Sequence, residues 1–225
     1  MAEYTTSVDI ANKALQHLGA PLIATLADNS KNAVQMNFAY DKCRQAELRS
    51  HVWQFSIAYS TLAAASPATQ AFQNGAVRNR FTLPANYVRM AQQDPHTAGV
   101  SNQNVTAGLQ WSDYSVEGTI LLTANPSVLL RYASDITTVT AFDALFDEAL
   151  AARLAFDTCE VITQNLNKRG QMAQIYAERI AMAQTLNLIE TAADEPTELE
   201  AMFSRINQNP NGPVQPQQGG GRGQR

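Results

Sequence analysis

Charge is scarce in this sequence. Asp, Glu, Lys and Arg make up 16 % of its 225 residues, against about 25 % in an average globular domain. Lysine and arginine number 16 against 20 acids, a net charge of −4. That balance excludes the basic profile of a protein that grips a nucleic-acid backbone. No apolar run approaches the roughly 18 residues of a membrane-spanning helix. The opening Met1-Ala2-Glu3-Tyr4 lacks the basic and apolar segments of a secretory leader, so the expectation is residence in a cytosol. Cysteine is almost absent, and Cys43 and Cys159 read as free buried thiols of a reducing compartment. Of the three histidines, His17, His51 and His96, none has a Cys, Asp or Glu at metal-ligand spacing. Neither a GxSxG elbow nor a GxxxxGK[ST] phosphate loop occurs. No cofactor and no metal is expected.

What is present is an ordinary core fraction, 45 % hydrophobic residues, and 35 alanines, which let helices approach closely. Residues 6–19 read as a helix, with Ala11, Ala14, Leu15 and Leu18 on one face. Thr6 and Asp9 form a weak capping box in which Asp replaces the usual Glu, and Gly19 supplies the left-handed stop. Asp28-Asn29-Ser30 starts a second helix, from about Lys31 to Ser50, with the stripe Met36, Tyr40, Cys43. At Trp53 the period changes from 3.6 to 2. Trp53, Phe55, Ile57, Tyr59 and Thr61 alternate with polar or small residues, the pattern of a half-buried strand. Further extended segments are expected over Phe81–Met90, turned at Pro84, and over Ser127–Tyr132. A hairpin is expected at Val116–Leu122, and a long loop over 94–110.

After Asp143 the helical period returns and runs to about Thr163, with a turn at Asn165–Gly170. A fourth helix follows to about Thr191. Its expected seam is Met172, Ile175, Arg179, Met182, Leu186 and Ile189, in heptad spacing. Asp194-Glu195-Pro196 breaks the chain. Thr197 and Glu200 cap a short helix whose apolar face is Leu199, Met202, Phe203 and Ile206. The last 19 residues hold three Pro, five Gly and a single aliphatic, Val214, too little apolar surface to order alone. The fold class expected is α+β: an antiparallel helical bundle formed by 1–52 and 141–193, an inserted β-rich module at 53–140, a short helix at 194–206 and a disordered tail at 207–225.

Chemistry is harder to find. Asp157 and Glu160, i and i+3 on a helix, are the best candidates for a carboxylate pair of the glycosidase kind; five acids along one helix more often form its solvated face. His17, late in the first helix, reads as a cation complementing the helix dipole. Gly219-Gly220-Gly221-Arg222-Gly223 is a flexible polar tail with one arginine.

The first third carries a more specific pattern. Asn12-Lys13-Ala14-Leu15-Gln16-His17-Leu18-Gly19 leads through Pro21-Leu22-Ile23 to Leu26-Ala27-Asp28. A helix with Ala33 and Tyr40-Asp41 then ends in Glu47-Leu48-Arg49-Ser50-His51-Val52-Trp53-Gln54-Phe55. Over residues 8–62 this resembles the tail tubular protein A family of short-tailed bacteriophages, the head-to-tail adaptors. Leu83-Pro84-Ala85-Asn86-Tyr87-Val88-Arg89 is a weaker echo. The resemblance implies a structural virion protein at the portal vertex, not an enzyme. It implies a homo-oligomeric ring, usually of twelve copies, beneath the portal protein and above the tail nozzle protein, with DNA passing through without sequence-specific binding. It implies assembly in the host cytoplasm and no membrane. Trp53 and Phe55 match its W-x-F and are expected as core residues at the helix–strand junction. The tail 207–225 has no counterpart in the pattern.

Two other readings stand beside it: a virion-associated peptidoglycan hydrolase acting through Asp157 and Glu160, and a DNA-binding accessory protein using the tail arginines. Leu199, Met202, Phe203 and Ile206 are the candidate partner interface, a helix too short to be stable without a surface to lie on. The sequence leaves no long apolar stripe once the helices are packed, which predicts a subunit largely monomeric until it meets the portal.

Overall fold

The computed structural model describes residues 4–72, 76–91 and 114–192, without the side chains of the last two. The expected loop 94–110, the 197–206 helix with Leu199, Met202, Phe203 and Ile206, and the tail 207–225 lie outside the described residues. The chain divides into two compact units, Met1–Thr191 and Ala192–Arg225. The second contributes only the last residue of a helix to the described residues.

The first unit is α+β, with four long helices and two antiparallel sheets. Helix α1 (Ser7–Leu18) is set by its ends. Thr6 Oγ1 accepts from the Asp9 amide, Asp9 Oδ2 accepts from the Thr6 amide at 2.8 Å, and Gly19 closes the helix at φ +63°. Aspartate therefore completes both halves of the capping box. Ile10, Ala11, Ala14, Leu15 and Leu18 are its buried face. The link to α2 (Lys31–Ser50) is held by two side chains. Asn12 spans the Ile23 amide and carbonyl at 2.9 and 3.0 Å, and Asp28 takes the amides of Ala24 and Thr25. Ser30 caps α2, which buries Met36, Tyr40 and Cys43 on the expected stripe.

Helix α3 (Ala144–Thr163), capped by Asp143, is the most deeply buried element, and both α1 and α2 pack on it. The turn after it is shorter than expected. Only Gln164, left-handed at φ 54°, and Asn165 leave the helix before α4 (Leu166–Ala192) begins, so Gly170 is helical.

The seam of α4 is also corrected. Met172 and Ile175 pack as expected; beyond them the packed side runs through Tyr176, Ile180, Ala183 and Asn187, displaced by about one residue from the expected Arg179, Met182 and Leu186. Met182, Leu186 and Ile189 are 51 %, 42 % and 59 % exposed. Pattern selects the more apolar stripe. The stripe actually packed holds an amide and a phenol whose polar atoms find partners on other elements, which makes their burial tolerable. An apolar stripe is thus left over, against the expectation from sequence.

All strands of the described residues lie between α2 and α3. β1 (Ile57–Thr61), β7 (Leu129–Ser134) and β4 (Tyr87–Met90) form one sheet in the order β1-β7-β4. β2 (Ala64–Ala71), β3 (Val77–Thr82), β6 (Ile120–Thr123) and β5 (Tyr114–Glu117) form the other, in the order β2-β3-β6-β5. The two sheets share a cluster made of Leu62, Phe81, Leu83, Leu121, Val128, Leu130 and Tyr132. Gly118, at φ +60°, makes the two-residue turn of the expected hairpin, with Glu117 opposite Ile120. The strand expected at Ser127–Tyr132 lies two residues later.

One further expectation fails for an identifiable reason, and one strand carried no expectation. The strand from Trp53 begins only at Ile57, because Gln54–Ser56 form a 3-10 turn. The inward face of β1 is then Ala58 leading to Leu62, and Tyr59 points out. β2, rich in alanine and carrying Pro67, has no strand signature; it sits on a sheet edge, where proline is tolerated.

Candidate functional site

The helix–strand junction is built around Trp53. It is buried, and its ring meets Phe146 edge-on at 5.0 Å and Phe55 in a stack at 6.0 Å between centroids. Phe55 also meets Phe142 and Phe146. The 3-10 turn, rather than a strand, brings Trp53 and Phe55 to the same side. Phe55 is only half-buried, and its open flank faces a groove.

That groove has a volume of about 270 Å³ and lies between the 53–55 turn, the start of α3 and the C-terminal part of α4. Phe55, Phe142, Leu186 and Ile189 supply apolar wall, and Asp143 and Glu190 supply an acidic lip. Asn187 holds its two sides together. The Asn187 Oδ1 accepts from the Gln54 amide at 2.8 Å and its Nδ2 donates to the Val52 carbonyl at 2.8 Å. The same Nδ2 lies 3.0 Å from His51 Nε2. Burial and the nearby Arg89 lower the His51 pKa, so that nitrogen is free to accept.

Deeper in the helices lies a polar cluster. Glu47, 1 % exposed, receives Arg153 Nη1 at 3.0 Å and the Tyr176 hydroxyl at 2.6 Å. Arg153 reaches Asp157 with Nε at 3.0 Å, and Cys43 Sγ donates to the same carboxylate oxygen at 3.2 Å. Burial and the Asp157 carboxylate push the Cys43 thiol up, while burial and the Glu47 bond push Tyr176 up to about 12. The cluster joins α2, α3 and α4, and its thiol and phenol are held in their protonated forms. A nucleophile or acid poised near neutrality has the opposite signature.

The candidate carboxylate pair is accordingly engaged elsewhere. Asp157 is paired with Arg153, and Glu160 is exposed and paired with Arg169 at 3.0 Å. Neither has the desolvating surroundings that raise a catalytic acid. The carboxyl that does have them was not singled out by sequence. Asp147 is fully buried, neither of its oxygens has a hydrogen-bond partner, and burial together with Asp143 and Glu148 pushes it up to about 7. The Tyr40 hydroxyl, likewise without a partner, is raised by burial, and the Asp147 charge adds to the shift. His17 is lowered by burial and by Lys13, so it is neutral at pH 7 and does not serve the helix dipole as a cation. Both thiols are free and buried.

Among the described residues, no group of His, Cys, Asp and Glu could hold a metal ion, and no helix is long and apolar enough to cross a membrane. Comparison with known proteins yields no match to any family model and none to a curated protein.

Proposed function

We propose that this chain is a structural subunit of a head-to-tail adaptor ring in a short-tailed bacteriophage, seated between the portal protein and the tail nozzle. The observation that carries the reading lies in residues 8–62. Those that bear the resemblance to the tail tubular protein A family also lock that segment into one unit. Asn12 clamps the Ile23 backbone, Asp28 closes the link before α2, and Trp53 ties the end of α2 to the 3-10 turn. A motif in which each polar residue secures a connection is a motif for shape. On this reading the four long helices form one antiparallel bundle, the β-rich module 53–140 is inserted between its halves, and the low cation content leaves a channel through which DNA moves without counterion-release contacts.

The stripe Met182, Leu186 and Ile189 supports an assembled subunit, since a row of apolar residues along an exposed helix asks for a partner. Leu199, Met202, Phe203 and Ile206 would provide a second contact, laid in a groove of the portal. The test is particle averaging of the purified protein with and without its cognate portal. Closed rings stacked on portal rings are expected. A protein that leaves portal particles unchanged at every concentration sinks the proposal. Met202→Ala with Phe203→Ala should weaken docking at least about tenfold while the free subunit melts normally; normal docking would remove the 197–206 contact from the reading.

A further inference from the structure

Two exposed helix faces of this subunit carry opposite charge patterns around apolar centres. On α2, Lys31, Val34, Phe38 and Lys42 share one side of the helix, turned away from the buried Met36–Tyr40–Cys43 face. Val34 and Phe38 are 51 % and 67 % exposed. On α4, Glu178 precedes the exposed Met182, Leu186 and Ile189, and Glu190 follows them with Asp143 across the groove. The spans match. Lys31 to Lys42 is about 17 Å of helix and Glu178 to Glu190 about 18 Å, at 1.5 Å per residue. Lys31, Glu178 and Glu190 make no ion pair among the described residues. Of the other charges near these faces, Asp41 is engaged by Arg44 at 3.3 Å, and Arg179, exposed on α4, lies in the field of Glu148 and leaves the two glutamates with Asp143 in the majority on that face.

We infer that the outer face of α2 in one copy of the chain docks on the α4 face of the next copy, with Phe38 entering the groove beside Leu186 and Ile189. This rests on the ring reading above and names the surfaces that would build the ring. Charge decides the pairing. A contact of α2 with its own kind sets Lys31 and Lys42 against each other, and α4 with its own kind does the same with Glu178 and Glu190. Like charges facing across an interface are penalised. The unlike pairing satisfies both ends whichever way the two helices run. It also uses different patches on the two partners, the heterologous geometry that propagates into a ring when the rotation closes. The groove has room for one aromatic side chain, and Phe38 is the most exposed aromatic of the described helices. In the separate subunit Lys42 Nζ lies 3.1 Å over the Phe38 ring, a cation beside the exposed aromatic that an acidic partner face would attract.

The test is cysteine pairing between copies of the full chain. Chains carrying Phe38→Cys and chains carrying Leu186→Cys are oxidised separately and as an equal mixture, with the portal present and absent. Wild-type chain sets the background, since Cys43 and Cys159 are buried. Disulfide-linked dimers are expected at least tenfold more in the mixture than in either chain alone. A chain bearing both substitutions should give a ladder of higher species. Reversal at Lys31 and Lys42 to Glu should lower linkage at least tenfold, and combining it with Glu178→Lys and Glu190→Lys on the partner should restore it. Equal linkage within one variant alone, or reversal without effect, overturns the pairing. Sedimentation of wild-type chain separates the two failures. Association without linkage between positions 38 and 186 overturns this surface and leaves the ring; no association at any concentration, with or without portal, overturns both.

Discussion

The Trp53 indole donates its Nε1–H to the main-chain carbonyl of Glu47, 3.0 Å away, while the Glu47 carboxylate receives Arg153 and Tyr176. One residue near the end of α2 therefore fixes the aromatic junction with its backbone and the two C-terminal helices with its side chain.

Trp53→Ala should destabilise the whole first unit by about 3–5 kcal/mol, the range for large aromatic truncations in a packed core. Trp53→Phe keeps most of the ring and loses the bond to Glu47, a smaller loss of about 1–2 kcal/mol. Denaturant midpoints measure both. A soluble Trp53→Ala chain with an unchanged melting temperature would count against the junction as described.

Arg153→Met should cost about 3–5 kcal/mol, because it leaves the buried Glu47 carboxylate with no cation, only the hydroxyls of Tyr176 and Ser50. Adding Glu47→Gln to that background should recover part of the loss. A double-mutant cycle checks it, and strict additivity of the two changes would show that the pair is not coupled.

Asp147 predicts a pH dependence with a definite sign. Its folded pKa of about 7 lies above the ordinary 3.8, so the folded state holds the proton more tightly than the unfolded chain. Its effect is nil below about pH 4, grows as a destabilisation between pH 4 and 7, and is complete above 7. The full effect is of the order of 4 kcal/mol. Asp147→Asn should flatten the fall in stability between pH 5 and 7.5 and raise the melting temperature at pH 7.5. Melting curves for the two proteins that run parallel across this range would refute the assignment.

Serine at Met182, Leu186 and Ile189 together should leave the melting temperature of the free subunit nearly unchanged, since exposed substitutions usually stay within about 0.5 kcal/mol each. Docking into rings on the portal should fall at least about tenfold. A marked drop in the melting temperature would place the stripe in the subunit's own core instead.

Sequence made the helices legible where their ends are chemically marked. Thr6 and Gly19 bracket α1, Ser30 opens α2 and Asp143 opens α3. It placed Met172 and Ile175 of α4 correctly and misjudged the rest of that face, because periodicity ranks stripes by hydrophobicity, and the packed stripe holds Tyr176 and Asn187, whose burial depends on partners more than a hundred residues away. It passed over β2, whose alanines carry no β preference. Trp53 and Phe55 were visible as an aromatic pair, yet alternation cannot distinguish a strand from a 3-10 turn that puts both rings on one side. Glu47 and Asp147 look like surface acids of amphipathic helices, and only the fold shows that one is paired and the other is not.

The end of α2 is completed from outside the helix. Arg89 on β4 donates to the carbonyls of Arg49 and Ser50 at 3.0 and 3.1 Å, Arg49 donates to the Val88 carbonyl at 2.7 Å, and the buried Arg44 grips Asp135 and the Ile136 carbonyl beyond β7. The partners stand some forty to ninety residues apart along the chain. The last turn of α2 consequently has no finished form until the sheet has closed. Opening of that turn, opening of β4 and release of the C-terminal end of β7 then belong to a single cooperative event, and amide protons in all three should exchange with one common protection. Strain applied to the sheet would then reach α2 through these bonds instead of being absorbed in a loose joint.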